Sequence, residues 1–384
     1  MAAICGAPAA GAASPFIPTE DGAVLESGLP TTDPRARQIQ ALAKALDRRP
    51  DDLDLAMRLA GQRLAMGVAE SDPRFVGYAK ATLARWWAKP DIPVALGVLK
   101  ARILQAEHDF TGARAVLRAT LKQEPGNPQA LLVLAAVDTT TGELDEARDA
   151  CQAFSGSRPG LAATACIASV ESLTGRAAES YAVLAEAADR NPSRDPGVQA
   201  WALTILGEIA IRLGDAAAAE RHLKEAHASN PSDVYTLTVY ADYLLDQQGR
   251  AAEVLRLLNG FRRVDTLYLR LALAAQAIGD PSLASYREEL AARFAAARAQ
   301  GDDRHLRDAA RFALELDRDP RRALGLARRN WTIQKMPADA RVLLEAASAA
   351  GEPGEAQPVA EWIGRIHLQD QMLHRLLSDL GLRN

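Results

Sequence analysis

The chain has 384 residues, 48% of them apolar but only 5% aromatic, and 45 basic residues against 49 acidic ones leave a net charge of −4. That balance, with no long basic run, removes the electrostatic footprint of a general nucleic-acid binder. No apolar stretch approaches the ~20 residues that span a bilayer. Arg outnumbers Lys 38 to 7, Ala and Leu dominate the apolar residues, and strand formers never alternate with period two. The expectation is closely packed helices and essentially no sheet.

Residues 1–34 (M-A-A-I-C-G-A-P-A-A-G-A-A-S-P-F-I-P…) are rich in small residues and Pro and lack a helical period. They are expected to form a disordered arm. A-A-G-A-A-S resembles the stretch beside a signal-peptidase site, but no basic residue precedes Arg35 and the apolar run is too short for a signal peptide. The stretch ending at Cys5 is a poor lipobox, because Ile4 stands where a small residue is required. Order is expected from about residue 35, with Ile39, Leu42, Ala43 and Leu46 forming an apolar stripe that Pro50 ends. Residues 54–67 then read as the first helix of an opening pair, and 74–87 as its second.

A six-residue signature follows and recurs: H-D-F-T-G-A (108–113), G-E-L-D-E-A (142–147), G-R-A-A-E-S (175–180), G-D-A-A-A-A (214–219), G-R-A-A-E-V (249–254), G-D-P-S-L-A (279–284) and G-E-P-G-E-A (351–356). Its sixth positions lie 34, 33, 39, 35 and 30 residues apart between Ala113 and Ala284. Such a period marks stacked helix pairs. First helices are expected at about 94–107, 128–141, 160–174 and 197–213, and second helices at about 110–123, 143–155, 177–190 and 216–229. The Gly supplies the positive φ of a helix C-terminus. The small sixth residue sits where the paired helices come closest. Pro125, Pro159, Pro192 and Pro231 end the four second helices. The pattern weakens afterwards: the spacing from 254 to 284 is short, and around Arg318–Ala323 the Gly is lost. Two locally basic stretches, 291–298 and 319–330, read as solvated helix faces ahead of a phosphate-binding stripe. Apolar residues in 359–380 keep a helical period, so 359–384 is assigned to a capping helix closing the stack, with a partner-binding or dimerising helix as the rival.

These features resemble the tetratricopeptide repeat family. The stretch 201–231 matches best, keeping Gly207, Gly214, Ala219, Ala226 and Pro231. The resemblance covers about residues 50–365 and is strong over 94–260. It implies an all-α, right-handed superhelical solenoid over 35–358, of eight or nine helix pairs, whose first helices line a concave groove. Carrying the family's inward positions across gives a groove strip of Arg102, Gln105, Gln129, Ser169, Trp201, Thr204, Glu208, Arg212, Tyr243, Asp246 and Gln247. Trp201 and Tyr243 are either exposed anchors or packing residues between repeats. The family's carboxylate-clamping Lys and Asn are replaced by Val98 and Arg102. Segments 72–87 and 330–347 resemble bacterial extracytoplasmic proteins of this class.

Cys151 and Cys166 flank the turn near 157–160 at equal distances, which sets them level on adjacent antiparallel helices. They are either a disulfide, pointing to an oxidising compartment such as the periplasm, or two small buried thiols. No catalytic or phosphate-binding motif occurs, and the histidines lack metal-ligand spacing; His367, His374 and Asp370 are the nearest approach to a zinc set. No cofactor is expected. The sequence thus implies a non-catalytic scaffold that binds a protein or peptide of unnamed identity in its groove. The alternatives are a redox-responsive module built on Cys151 and Cys166, or an accessory subunit of an enzyme encoded elsewhere.

Overall fold

The computed structural model describes residues 33–70, 72–302 and 304–382. Cys5 and the arm expected over 1–34 lie outside the described residues, apart from Asp33 and Pro34. These two already belong to the first helix: Asp33 caps α1 (Pro34–Arg48) by accepting from the Arg35 amide at 2.7 Å. Described residues form 21 α-helices and no strand.

After α1 come nine helix pairs. The first is α2 (Leu53–Glu70) with α3 (Pro73–Thr82), which continues as the short α4 (Ala84–Trp87) after a break at Leu83. Then follow α5 (Val94–Ala106) with α6 (Phe110–Gln123), α7 (Pro128–Thr141) with α8 (Leu144–Ser157), and α9 (Leu161–Glu171) with α10 (Ala177–Arg190). Next are α11 (Pro196–Leu213) with α12 (Ala216–Ser229), and α13 (Val234–Asp246) with α14 (Ala251–Leu257). The last are α15 (Asp265–Ile278) with α16 (Leu283–Ala299), α17 (Leu306–Glu315) with α18 (Pro320–Trp331), and α19 (Pro337–Ala350) with α20 (Gln357–Ile366). Each first helix packs on the first helices before and after it, and most second helices also pack on the next first helix. The result is an all-α helical-repeat superhelix with an inner layer of first helices.

The repeating turn is a backbone event. Every signature glycine has positive φ, from 67° at Gly279 to 84° at Gly142. His108 takes the same conformation at φ 59°, and so does Arg318 at φ 54°. The repeat that loses its Gly therefore keeps the turn. The sixth position is buried as expected at Ala113, Ala147, Ser180, Ala219, Val254, Ala323 and Ala356. Ala284 is the exception and is exposed; α16 starts late, after Pro281, and Tyr286 takes the buried place. This shift explains the short 254-to-284 spacing. Cys151 of α8 and Cys166 of α9 are bonded, Sγ–Sγ 2.01 Å with Cα atoms 5.5 Å apart, inside the largest apolar cluster.

The C-terminal capping segment departs from the single helix expected over 359–384. His367 adopts φ 56° and ends α20, and Asp370 caps a separate helix α21 (Gln371–Asp379), its carboxylate accepting from the Met372 and Leu373 amides at 3.0 Å each. Nor does the segment merely cover the last repeat. It lies along a row of turns made by repeats nearly 200 residues earlier. The Lys335 amide donates to Thr140 O (2.9 Å), Gln369 Oε1 accepts from the Ala177 amide (3.0 Å), and Gln371 Nε2 donates to Leu213 O (2.7 Å). Those three sites flank Gly142, Gly175 and Gly214. A Cβ on Gly142 would meet the Lys335 side chain, one on Gly175 would meet His367, and one on Gly214 would overlap the Gln371 amide. The largest apolar cluster spans both parts, joining Leu131, Ala135, Cys166 and Val170 to Trp331, Leu343, Trp362 and Leu373.

Two predictions follow from these turns. Arg318 is exposed and held in the left-handed region, where a side chain costs about 1 kcal/mol or more. Arg318→Gly should therefore raise unfolding free energy by about 0.5–1 kcal/mol in urea titrations. Gly214→Ala and Gly249→Ala incur the same backbone cost, at φ 79° and 77°, but only at 214 is the space filled by Gln371. The 214 variant should be the less stable of the two by about 1–3 kcal/mol; equal losses would mean that the C-terminal segment yields freely.

Candidate partner-binding face

The expected groove strip divides into three groups. Arg102 and Gln129 are exposed and Gln105 is half-buried, so this N-terminal portion of the inner face is open. Ser169, Trp201 and Gln247 are half-buried; the Ser169 hydroxyl donates to Cys166 O at 2.7 Å, Trp201 packs against two apolar clusters, and Gln247 caps α13.

The remaining residues correct the strip. Tyr243 is no groove anchor: it is 5% exposed and its hydroxyl donates to Ala216 O at 2.9 Å, fastening α13 to the preceding pair. Thr204 is fully buried, bonding Ala200 O and the Thr236 hydroxyl at 2.8 Å each. Arg212 is buried against Ser172. Asp246 is bridged by Arg341 of α19, two hydrogen bonds of 2.7 Å each. This contact links α13 to α19 across the groove, so the superhelix has curled until later repeats face earlier ones.

What lines the inner face here is a ladder of charges on successive first helices. Asp242 of α13 accepts from Arg270 of α15 (3.0 and 2.8 Å) and Arg311 of α17 (2.5 Å). Arg270 also reaches Asp308 (2.7 Å) and Thr266, and Arg311 reaches Glu315 (2.6 Å). Burial pulls the Asp242 and Asp308 carboxyls up, but the arginines prevail, holding Asp242 far below the usual range and Asp308 at about 2. Beside this ladder Glu208 of α11 accepts from the Tyr235 hydroxyl at 2.7 Å. Tyr235 is 46% exposed, yet burial pushes its hydroxyl well above the ordinary value. Tyr235 is thus a half-exposed side chain on the layer of first helices, tied to Glu208 through its hydroxyl.

The sequence reading missed Tyr235, Asp242, Arg270, Arg311 and Arg341. A signal existed: Asp242 and Arg270 are single charges within apolar helices (V-Y-A-D-Y-L-L and L-Y-L-R-L-A-L), and such a charge needs a buried partner. A second ladder was equally hidden. Arg114 pairs with Asp138 (2.5 Å) and Thr141 (2.6 Å) of the next repeat, and Arg148 pairs with Glu171 (2.7 Å) and Thr174 (3.5 Å) of the one after. Each Arg follows the small sixth residue, and each acid stands four before the next signature Gly. Among the described residues no group of three His, Cys, Asp or Glu is arranged to hold a metal.

Residues 104–163, from the end of α5 into α9, match a family model described as tetratricopeptide repeat. That stretch of the chain carries a tetratricopeptide repeat. Among solved structures it is similar to the human IFIT1 dimer with m7Gppp-AAAA, at 13% identity and a TM-score of 0.43 over 86% of each chain. It is also similar to yeast Tom70, at 11% identity and a TM-score of 0.41 over 90% of this chain and 84% of that one. Comparison with curated proteins gives no match. No helix among the described residues is long and apolar enough to cross a membrane.

His108 gives this face a pH dependence. It forms the turn between α5 and α6, stacks on Phe110, and meets Gln334 at 3.3 Å. Burial, with His305, Arg304 and Arg307 nearby and Asp302 opposing, lowers its pKa from 6.5 to about 4. The unfolded chain takes up this proton first, so the stability involved is complete above about pH 6.5 and lost as the pH falls toward 4. Urea titrations should show that decline, and His108→Asn, which tolerates the left-handed turn, should flatten it.

Proposed function

We propose that this tetratricopeptide-repeat protein is a non-catalytic scaffold that receives an extended segment of a partner protein along its inner face. The segment enters where Arg102, Gln105 and Gln129 are open and runs toward Glu208 of α11 and Tyr235 of α13. The observation that carries this reading is Tyr235, 46% exposed with its hydroxyl donating to Glu208 at 2.7 Å, on the packed layer of first helices. A preformed surface of this kind binds with little backbone change, and half-exposed polar groups supply hydrogen bonds to an extended main chain.

The Cys151–Cys166 bond supports residence in an oxidising compartment. Both sulfurs are buried, at 0% and 2% exposure, and packed in the apolar cluster. That favours a structural staple between adjacent repeats over a redox switch, which requires access.

The test is a photocrosslinking amino acid placed at Tyr235 or, on the outer layer, at Val183, which is 53% exposed. A partner polypeptide should be captured from position 235 and not from 183, with fragments of one contiguous segment. Capture from 183 alone would move the function to the outer wall.

A further inference from the structure

From α6 to α18, each second helix lies close along the first helix that follows it, with one exception: the backbones of α16 and α17 stand apart. These two meet through side chains, the rings of Phe294 and Phe312 packing with centroids 5.4 Å apart. Beside Phe294 lies a cavity of about 120 Å³. Phe294 of α16, Leu306 of α17 and Leu326 of α18 give it apolar walls, while Arg298 of α16 and Arg322 and Arg329 of α18 give it basic ones. Phe294 and Leu306 are buried, whereas Arg298 and Arg329 are exposed, so an apolar base lies under a basic rim. Arg322, Leu326 and Arg329 share one face of α18 by their spacing. The two locally basic stretches of the sequence, 291–298 and 319–330, therefore converge on a single concavity. Asp302 and His305 of the α16–α17 connection complete the lining. Asp302 is spent locally, accepting from the Arg304 amide at 3.0 Å and from Arg304 Nε at 2.7 Å. Arg322 gives one of its five N–H groups to Asp317 at 2.9 Å, and Arg329 is engaged as well. Arg298 meets no carboxylate among the described residues. On the inner face, by contrast, Arg270, Arg311 and Arg341 are each held by two carboxylates. Three arginines against one aspartate leave this lining with two surplus positive charges above an apolar base.

We propose that this cavity binds a phosphate monoester whose organic part is apolar. Charge and shape select the ligand. A phosphate monoester carries roughly two negative charges at pH 7 and presents three acceptor oxygens. It neutralises the surplus, and its tetrahedral oxygens can meet guanidiniums that arrive from two different helices. A carboxylate carries one charge, and its two oxygens lie in one plane that suits a single guanidinium fork. The apolar part of the ester covers Phe294, Leu306 and Leu326. Covering them removes water from around the charged groups, which strengthens their attraction. The site belongs to the gap between α16, α17 and α18 and does not depend on the inner-face reading above. The ester is either a soluble small molecule or the headgroup of a lipid.

The experiment titrates phenyl phosphate against the whole protein and follows the broadening of its ring-proton NMR signals at constant ionic strength. Half-saturation should fall on the order of 1 mM or below for so small a ligand. Arg298→Ala, at an exposed position and checked for folding by circular dichroism, should weaken binding about tenfold. Arg328→Ala is the control: Arg328 is exposed on the same helix α18, pairs with Glu355 at 3.0 Å and does not line the cavity. That variant should bind as the wild type does. Benzoate and inorganic phosphate should both bind several-fold more weakly than phenyl phosphate. Phosphatidylcholine vesicles with and without phosphatidic acid then separate the sources. Sedimentation with the phosphatidic acid vesicles alone, reversed by phenyl phosphate, assigns a lipid headgroup, and phenyl phosphate binding without sedimentation assigns a soluble ester. Absence of binding to the wild type, unchanged binding to the Arg298 variant, or equal losses in both variants overturns the site. Benzoate bound as tightly as phenyl phosphate overturns the choice of phosphate, and inorganic phosphate bound as tightly overturns the role of the apolar base.

Discussion

One backbone conformation sets the rest of this molecule: the left-handed residue that ends each first helix from α5 onward. It reverses the chain in two or three residues, so the next helix must return antiparallel against the one just finished. The close approach then allows only a small or well-fitted side chain at the sixth position, which is why Ala113, Ala147, Ala219 and Ala323 are completely covered. Glycine is the usual occupant, but the conformation, not the residue, is what recurs. His108 and Arg318 adopt it despite their side chains because the packing on either side holds them there.

Because each turn lies at the same end of its pair, the turns align into a row, and a row of exposed backbone groups is a place to dock. The C-terminal segment uses it through Gln369 and Gln371, and the α18–α19 connection uses it through Lys335. The inner layer is shaped by the same alignment. Its first helices present charges to one another at regular steps, and curvature brings α13 within reach of α19. The inner face is therefore no uniform trough: its later repeats carry a salt-bridged stretch on Asp242, Arg270, Arg311 and Arg341, whereas Arg102 and Gln129 are exposed.

The repeat was legible because its determinants are local. Turn residues, helix ends and small contacts lie within one period, so ranges such as 110–123, 128–141, 177–190 and 216–229 emerge from spacing alone. The level placement of Cys151 and Cys166 followed from the same symmetry about a turn. What stayed hidden depends on residues far apart. Nothing near Asp246 announces Arg341, and nothing near Gly214 announces Gln371. Tyr243 read equally as a surface anchor or as packing between repeats, because its inward register suits both; its hydroxyl, reaching Ala216 O, makes it a tie between repeats. Arg318 was lost because the pattern was sought as a residue type, whereas Tyr286 was lost because a late helix start slid the register by two.

The docking of the C-terminal segment changes how the chain must fold. A stack of repeats has nearly all its contacts close in sequence, and it can gain or lose structure one unit at a time. Here hydrogen bonds join Thr140 to Lys335 and Ala177 to Gln369, and one apolar cluster holds both ends. These ties raise the mean sequence separation of native contacts, which slows the final step of folding. They also couple the terminal repeats to the middle ones, which opposes independent fraying of that part of the array.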